Sequence, residues 1–220
     1  MSRSASFAGI ILAAGESSRM SQEKALLPWP PQAAGSVPSQ DCFLSAAIRS
    51  LGLSTDFVVV VVGANEPALA PVIYAAGASM VVNPDPARGQ FSSLQVALHE
   101  VLNRGRDTAM ITLIDRPPVS ANTLQTLRSA FEEAASDVWA VVPEFSGRHG
   151  HPFIAGRELV EAFLCAPATA NAREVEHQLQ AHILYVAVDD PFVASNVNTP
   201  EDYAALARSS TCMTTDAESR

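Results

Sequence analysis

The chain has 220 residues, 48% of them hydrophobic and 17% charged, which fits a soluble globular protein of one large domain or two small ones. Its formal charge of −9, from 14 basic and 23 acidic side chains, argues against the broad basic face that nucleic-acid binding needs, while leaving room for a small anion at a local cluster of cations. Cys42, Cys165 and Cys212 are far apart and form no C-x-x-C pair, so they give neither a disulfide framework nor a zinc site and read as reduced thiols of a cytoplasmic protein.

Taken in order, the chain begins with an apolar run from Phe7 to Ala13 of strand length. The run is too short for a membrane span, which takes about 20 apolar residues. It resembles a secretory leader behind Arg3 only superficially, because cleavage would destroy the loop that follows. That loop, Ala14-Gly15-Glu16-Ser17-Ser18-Arg19-Met20-Ser21-Gln22-Glu23-Lys24, turns abruptly polar. Gly15 can take backbone angles closed to other residues, two hydroxyls follow, and Arg19 and Lys24 add fixed positive charge. Turn N–H groups beside cations make a site for an anion such as a polyphosphate. Neither G-x-G-x-x-G nor G-x-x-x-x-G-K-[ST] is present.

The prolines and Gly35 make Pro30 to Gln40 a surface loop. Asp41 is expected to cap a helix to about Leu51, with Phe43, Ala47, Ile48 and Leu51 on one face. Phe57 to Val62 is an unbroken, mostly β-branched run, as in a strand buried on both faces of a parallel sheet. Helical and strand patterns then alternate: a helix from Glu66 to Ala76, a strand from Ser79 to Val82, a helix from Phe91 to Leu102 and a strand from Ala109 to Ile114. A helix from about Ser120 to Ala135 and a strand from Val138 to Val142 continue the series. The pattern predicts an α/β sheet with crossover connections, whose ligands sit beyond the carboxyl ends of the strands. Gly15, Gly63, Asn83 and Asp115 all fall at those ends.

Beyond Phe145, a polar turn enters Phe153-Ile154-Ala155. Gly156 to Leu164 and Ala172 to Leu179 read as helices, and Ile183 to Val188 as a strand. Thr199-Pro200-Glu201-Asp202 is a strong helix start, with Thr199 at the N-cap and Pro200 at the first helical position. Residues 1–208 read as one domain, and Ser209 to Arg220, small and polar, as a disordered tail.

Several of these stretches carry chemistry. Asp115 is a lone acid after an apolar strand, the natural place for a Mg²⁺ ligand that shares its ion with substrate phosphates. Asn83, Ser92 and Ser93 can offer hydrogen bonds to a ligand, or form a loop and a helix cap. Asn196 and Asn198 precede the last helix and read as turn formers as well as oxygen donors.

In order along the chain, Leu12-Ala13-Ala14-Gly15 with Ser17, Arg19, Met20 and Lys24 resembles the L-A-A-G-x-S-x-R-M-x-x-x-K signature of the molybdenum cofactor cytidylyltransferases. Asn83-Pro84 with Gly89, Ser92, Ser93 and Leu94, then Leu113 to Pro117, Gly150-His151-Pro152, and Asn196 to Asp202 resemble four further segments of that family. The resemblance implies a three-layer α/β/α fold, Rossmann-like, with a mixed, mostly parallel sheet of the nucleotide-diphospho-sugar transferase type. It implies an enzyme moving CMP from CTP to the phosphate of molybdopterin or molybdenum cofactor, releasing pyrophosphate. In that reading Mg²⁺, or Mn²⁺ in its place, sits on Asp115 and Asn198, Lys24 meets the α-phosphate, and Arg19 holds the β and γ groups. Leu12 and the loop from Ala13 to Ser18 cradle the triphosphate, Asn83, Ser92 and Ser93 lie near the base, and Gly150, His151 and Pro152 belong to the acceptor side. Partners would be the nucleotide, the cofactor and molybdenum hydroxylase apoenzymes, with no nucleic acid and no membrane.

Ala14 favours CTP, because guanylyltransferase relatives usually read L-A-G-G here. Three positions depart from the pattern: Ser21 replaces a glycine, the Pro30 to Gln40 loop is long, and Arg116 replaces a glutamine. The alternatives are GTP as donor, another phosphate acceptor such as a sugar phosphate or phospholactate, or a non-catalytic cofactor-delivery protein.

Overall fold

The computed structural model describes residues 6–15, 23–31 and 41–206. Eight strands among them form one sheet: β1 (Phe7–Leu12), β2 (Phe57–Val62), β3 (Ser79–Val82), β4 (Thr108–Leu113), β5 (Ala140–Phe145), β6 (Arg148–His149), β7 (Phe153–Ala155) and β8 (Ile183–Ala187). The order is β3-β2-β1-β4-β7-β5-β6, with β8 beside β5. β1 is parallel to β2 and β4, β2 to β3, and β5 to β8, whereas β7 runs antiparallel to both β4 and β5. The sheet is therefore mixed and mostly parallel, as expected.

All six residues of β1 are buried. Its odd positions, Phe7 and Ile11, join one apolar layer and its even positions, Ala8, Ile10 and Leu12, the other. Because both faces are apolar, hydrophobic pattern alone leaves the register open. The parallel ladders set it, pairing Gly9 with Val58 on one side and with Met110 on the other.

The helices α1 (Phe43–Gly52), α2 (Glu66–Ala75) and α4 (Ala121–Glu133) cover one face through Leu44, Ile48, Leu51, Leu69, Ile73, Leu127 and Phe131. On the other face lie α3 (Gln90–Asn103), α5 (Arg157–Cys165) and α6 (Ala172–Gln178), through Leu94, Leu98, Val101, Leu159, Phe163 and Val175. Cys42, not Asp41, holds the N-cap of α1, while Asp41 accepts a hydrogen bond from Arg49 Nη1 at 2.7 Å. The strand expected from Val138 starts later, at Ala140, and runs on to Phe145 into a tight hairpin. Ser146 and Gly147 both have positive φ there, as a two-residue turn between right-twisted strands requires.

A third, smaller cluster joins Leu27, Phe43, Val197 and Leu206, with Trp29, Phe192 and Tyr203 packed against it. It ties the segment after Lys24 to the segment before the last helix, which spans 200–206. No helix among the described residues is long and apolar enough to cross a membrane. The expected tail from Ser209 lies outside the described residues.

Candidate active site

The strand order reverses between β1 and β4, so a crevice opens at their carboxyl ends. Ile114 N donates to Leu12 O at 3.1 Å and Ala13 N to Val61 O of β2 at 2.8 Å, which holds the exits of β1, β4 and β2 side by side. The added Cβ of a residue replacing Gly15 would meet nothing within 4 Å. Gly15 is not in the left-handed region, so its use here is to leave main chain bare beside the crevice, not to make an unusual turn. Glu16, Ser17, Ser18, Arg19 and Ser21 lie outside the described residues.

The crevice has a volume of about 330 Å³, and Leu12, Ala14, Gly15, Lys24, Asp115 and Asn198 are among the residues lining it. Lys24 opens a short 3-10 turn, Lys24–Leu26, and its Nζ donates to Asn198 Oδ1 at 3.3 Å. These two residues are 174 positions apart, and the third apolar cluster is what brings them together. Val197 N donates to Asp115 O at 2.8 Å, so Asn198 is also anchored beside the end of β4. Asp202 then accepts from Asn198 N at 2.9 Å and Thr199 N at 3.0 Å, while Thr199 Oγ1 accepts from Asp202 N at 3.2 Å. Those three bonds fix the helix start, and the two backbone N–H donors, Asn198 first and then Thr199, hold the Asp202 carboxyl below its usual range. Asn196 is exposed and takes no part.

Asp115 Oδ1 is buried with no hydrogen-bond partner among the described residues. A buried carboxylate oxygen left this way is unfavourable unless a cation completes it. No group of three or more His, Cys, Asp or Glu suited to a metal occurs among the described residues. One carboxylate and one amide oxygen suit a hard ion that draws its remaining ligands from phosphates, so the donor set fits Mg²⁺ or Mn²⁺.

Asn83, Ser92 and Ser93 are buried together. Asn83 Nδ2 donates to both hydroxyls at 2.9 Å, and its Oδ1 accepts from Asp85 N at 3.0 Å. The amide is thus spent on fastening the loop to the first turn of α3, and only Ser93 of the three lines the crevice. Gly89 caps that helix at φ 93°, a conformation that favours glycine.

A larger hollow adjoins the crevice, and another adjoins that hollow. The first, about 520 Å³, shares Leu12, Gly89, Gln90 and Leu113 with it and adds Arg88, Arg116, His151 and Arg173. The second, about 420 Å³, shares Arg116, His151, Phe153, Arg173 and Glu176 with the first and is also lined by His149 and Tyr185. Those two rings stack at 3.9 Å.

Gly150 and His151 line this region because β7 runs antiparallel, so the segment entering it arrives at the same edge that the parallel strands leave. Gly150 passes so close to the Val193 carbonyl that an added Cβ would overlap it. Pro152 faces a small separate hollow beside Val119. Burial, then the Arg116 charge, brings the His151 imidazole down to about 4, against a weak pull from the Ile111 carbonyl, so the ring is neutral at pH 7. Burial pushes the Glu176 carboxyl up, partly offset by Arg173.

Arg88, Arg173, Glu176 and Tyr185 carry no motif. They reach the cleft only through tertiary folding of the loop before α3, of α6 and of β8.

A mixed sheet with bare backbone at Gly15, a lysine and an unsatisfied carboxylate at its switch point fits the class of nucleotide-handling α/β transferases. A model of the MobA-like NTP transferase domain matches residues 9–183, and the chain belongs to that family and is a nucleotidyltransferase. It is 28% identical over 200 residues to a probable molybdenum cofactor guanylyltransferase of Rhodopirellula baltica, covering 88% of each chain. It is 24% identical over 196 residues to the molybdenum cofactor cytidylyltransferase of Escherichia coli, covering 88% of this chain and 92% of that one. Among solved structures, the manganese complex of Rv0371c from Mycobacterium tuberculosis superposes with a TM-score of 0.72 at 24% identity, covering 93% and 99% of the two chains.

Proposed function

We propose that this enzyme transfers CMP from CTP to the terminal phosphate of molybdopterin or molybdenum cofactor, releasing pyrophosphate. The observation that carries the transfer chemistry is the unsatisfied Asp115 oxygen in the same crevice as the Lys24–Asn198 pair and the bare Gly15 backbone. The acceptor is supported by the activities for which the two relatives are named.

Mg²⁺, or Mn²⁺ in its place, held by Asp115 and Asn198, would supply neutralisation of the phosphate charge. Lys24 meets the α-phosphate, Arg19 holds the β and γ groups, and the backbone from Ala14 to Ser18 cradles the triphosphate. An oxygen of the acceptor phosphate forms a new bond to the α-phosphorus as the bond to the β-bridging oxygen breaks and pyrophosphate leaves. A phosphate monoester arrives as a dianion at neutral pH, so no side chain has to remove a proton, and catalysis is positioning and charge stabilisation. A neutral His151 is consistent with that economy.

The choice of CTP over GTP rests on Ala14, since the two relatives are named for different nucleotides. Ala14 is buried and borders the crevice, and it stands where guanylyltransferase relatives usually carry glycine. Pyrophosphate release, measured with molybdopterin and each of CTP, GTP, ATP and UTP, tests the reading. CTP is expected to give the highest kcat/KM. A higher value with GTP would reassign the donor, and no release with any pair would overturn the acceptor.

A further inference from the structure

Arg116 follows Asp115 in the chain, is half-buried, and lines both outer hollows. Its Nη1 donates to the Ser195 carbonyl at 3.1 Å, which pins the guanidinium, and its Nε is buried without a partner among the described residues. The Asp115 carboxylate attracts this guanidinium and Arg148 repels it, and a partly buried cation with a donor still unpaired favours a further anionic acceptor. Arg88 and Arg173 line the hollow with it, against the carboxyl of Glu176, so positive charge is in excess there in a chain of net charge −9.

We propose that Arg116 is the receptor for the acceptor's nucleophilic phosphate, holding it beside Asp115 while the acceptor's organic part occupies the hollow over His149 and Tyr185. This deepens the reading above and rests on it for the identity of the organic part. The class of acceptor follows: a phosphate monoester carrying a flat group that can pack on the stacked pair of rings. The attacking oxygen keeps its electron pair free for the α-phosphorus, because the guanidinium bonds the other phosphate oxygens. Nothing is oxidised or reduced, and no proton is moved.

The test compares binding of molybdopterin and of its phosphate-free form to the full chain, without metal or nucleotide, by quenching of pterin fluorescence. Wild type is expected to prefer the phosphorylated form by at least about tenfold, the scale of one charge-assisted contact. Arg116→Gln should abolish the preference while leaving affinity for the phosphate-free form and the KM for CTP unchanged, and Arg116→Lys should restore part of it. A preference that survives in a folded Arg116→Gln protein overturns the proposal. Should wild type bind neither pterin, a panel of aryl phosphate monoesters decides. Loss of their binding in Arg116→Gln sustains the role of Arg116 and removes only the pterin, and equal binding by both proteins overturns the role.

Discussion

At the scale of single residues, the crevice turns on which polar atoms are satisfied by the protein and which are left for a ligand. Asp115 Oδ1 is left over, whereas Asn83 spends its whole amide on Ser92, Ser93 and Asp85. Their variants should therefore fail differently. Asn83→Ala strands buried hydroxyls and a backbone N–H, so it should lower stability by about 1–3 kcal/mol, read by chemical denaturation, with little change in the KM for the nucleotide. A large KM change at unchanged stability would return Asn83 to base recognition. The sequence makes Asp115, Lys24 and Gly15 visible because each sits at a strand end or in a polar loop. It leaves Asn83 ambiguous, since the residue types that read a base also cap a helix, and only the bond partners separate the two uses.

Among the elements, the alternation of strands and helices was legible from unbroken β-branched runs and amphipathic spacing. The antiparallel β7 and the β5–β6 hairpin were not, being short and strongly polar at their joint. Their consequence is functional, because the segment entering β7 brings Gly150 and His151 to the edge where the parallel strands end. Equally hidden was the small cluster of Leu27, Phe43, Val197 and Leu206, whose members share no periodic pattern. It positions Lys24 against Asn198, so Leu27→Ala should cost about 2–5 kcal/mol of stability and also raise the Mg²⁺ concentration needed for half-maximal turnover. Calorimetry and a Mg²⁺ titration check the two effects, and an unchanged Mg²⁺ requirement would separate the cluster from the crevice. Gly150→Ala should disturb the Val193 segment through steric overlap, by about 1–3 kcal/mol, seen as a lowered Tm.

For the whole molecule, an acidic chain gathers cations along one cleft, and the groups there couple its stability to pH. His151 is pushed down to about 4 in the fold, so the unfolded chain binds more protons between that value and the ordinary histidine range. Stability from this residue is present above about 6.5 and is lost as pH falls toward 4, by roughly 3 kcal/mol at most. Glu176, raised by burial, works in the opposite sense, losing stability as pH rises above the ordinary carboxylate range. The difference between wild type and His151→Gln isolates the histidine: the variant should show a flatter loss of Tm between pH 7 and 5, and an equal loss would place the ring in water. The central claim, that the crevice between β1 and β4 is the site of nucleotidyl transfer, is met most directly by single-turnover pyrophosphate release from CTP and molybdopterin by wild type and Asp115→Ala. The variant is expected to lose at least ~10² in rate while still binding nucleotide in part. Full turnover by a folded Asp115→Ala protein would contradict the account.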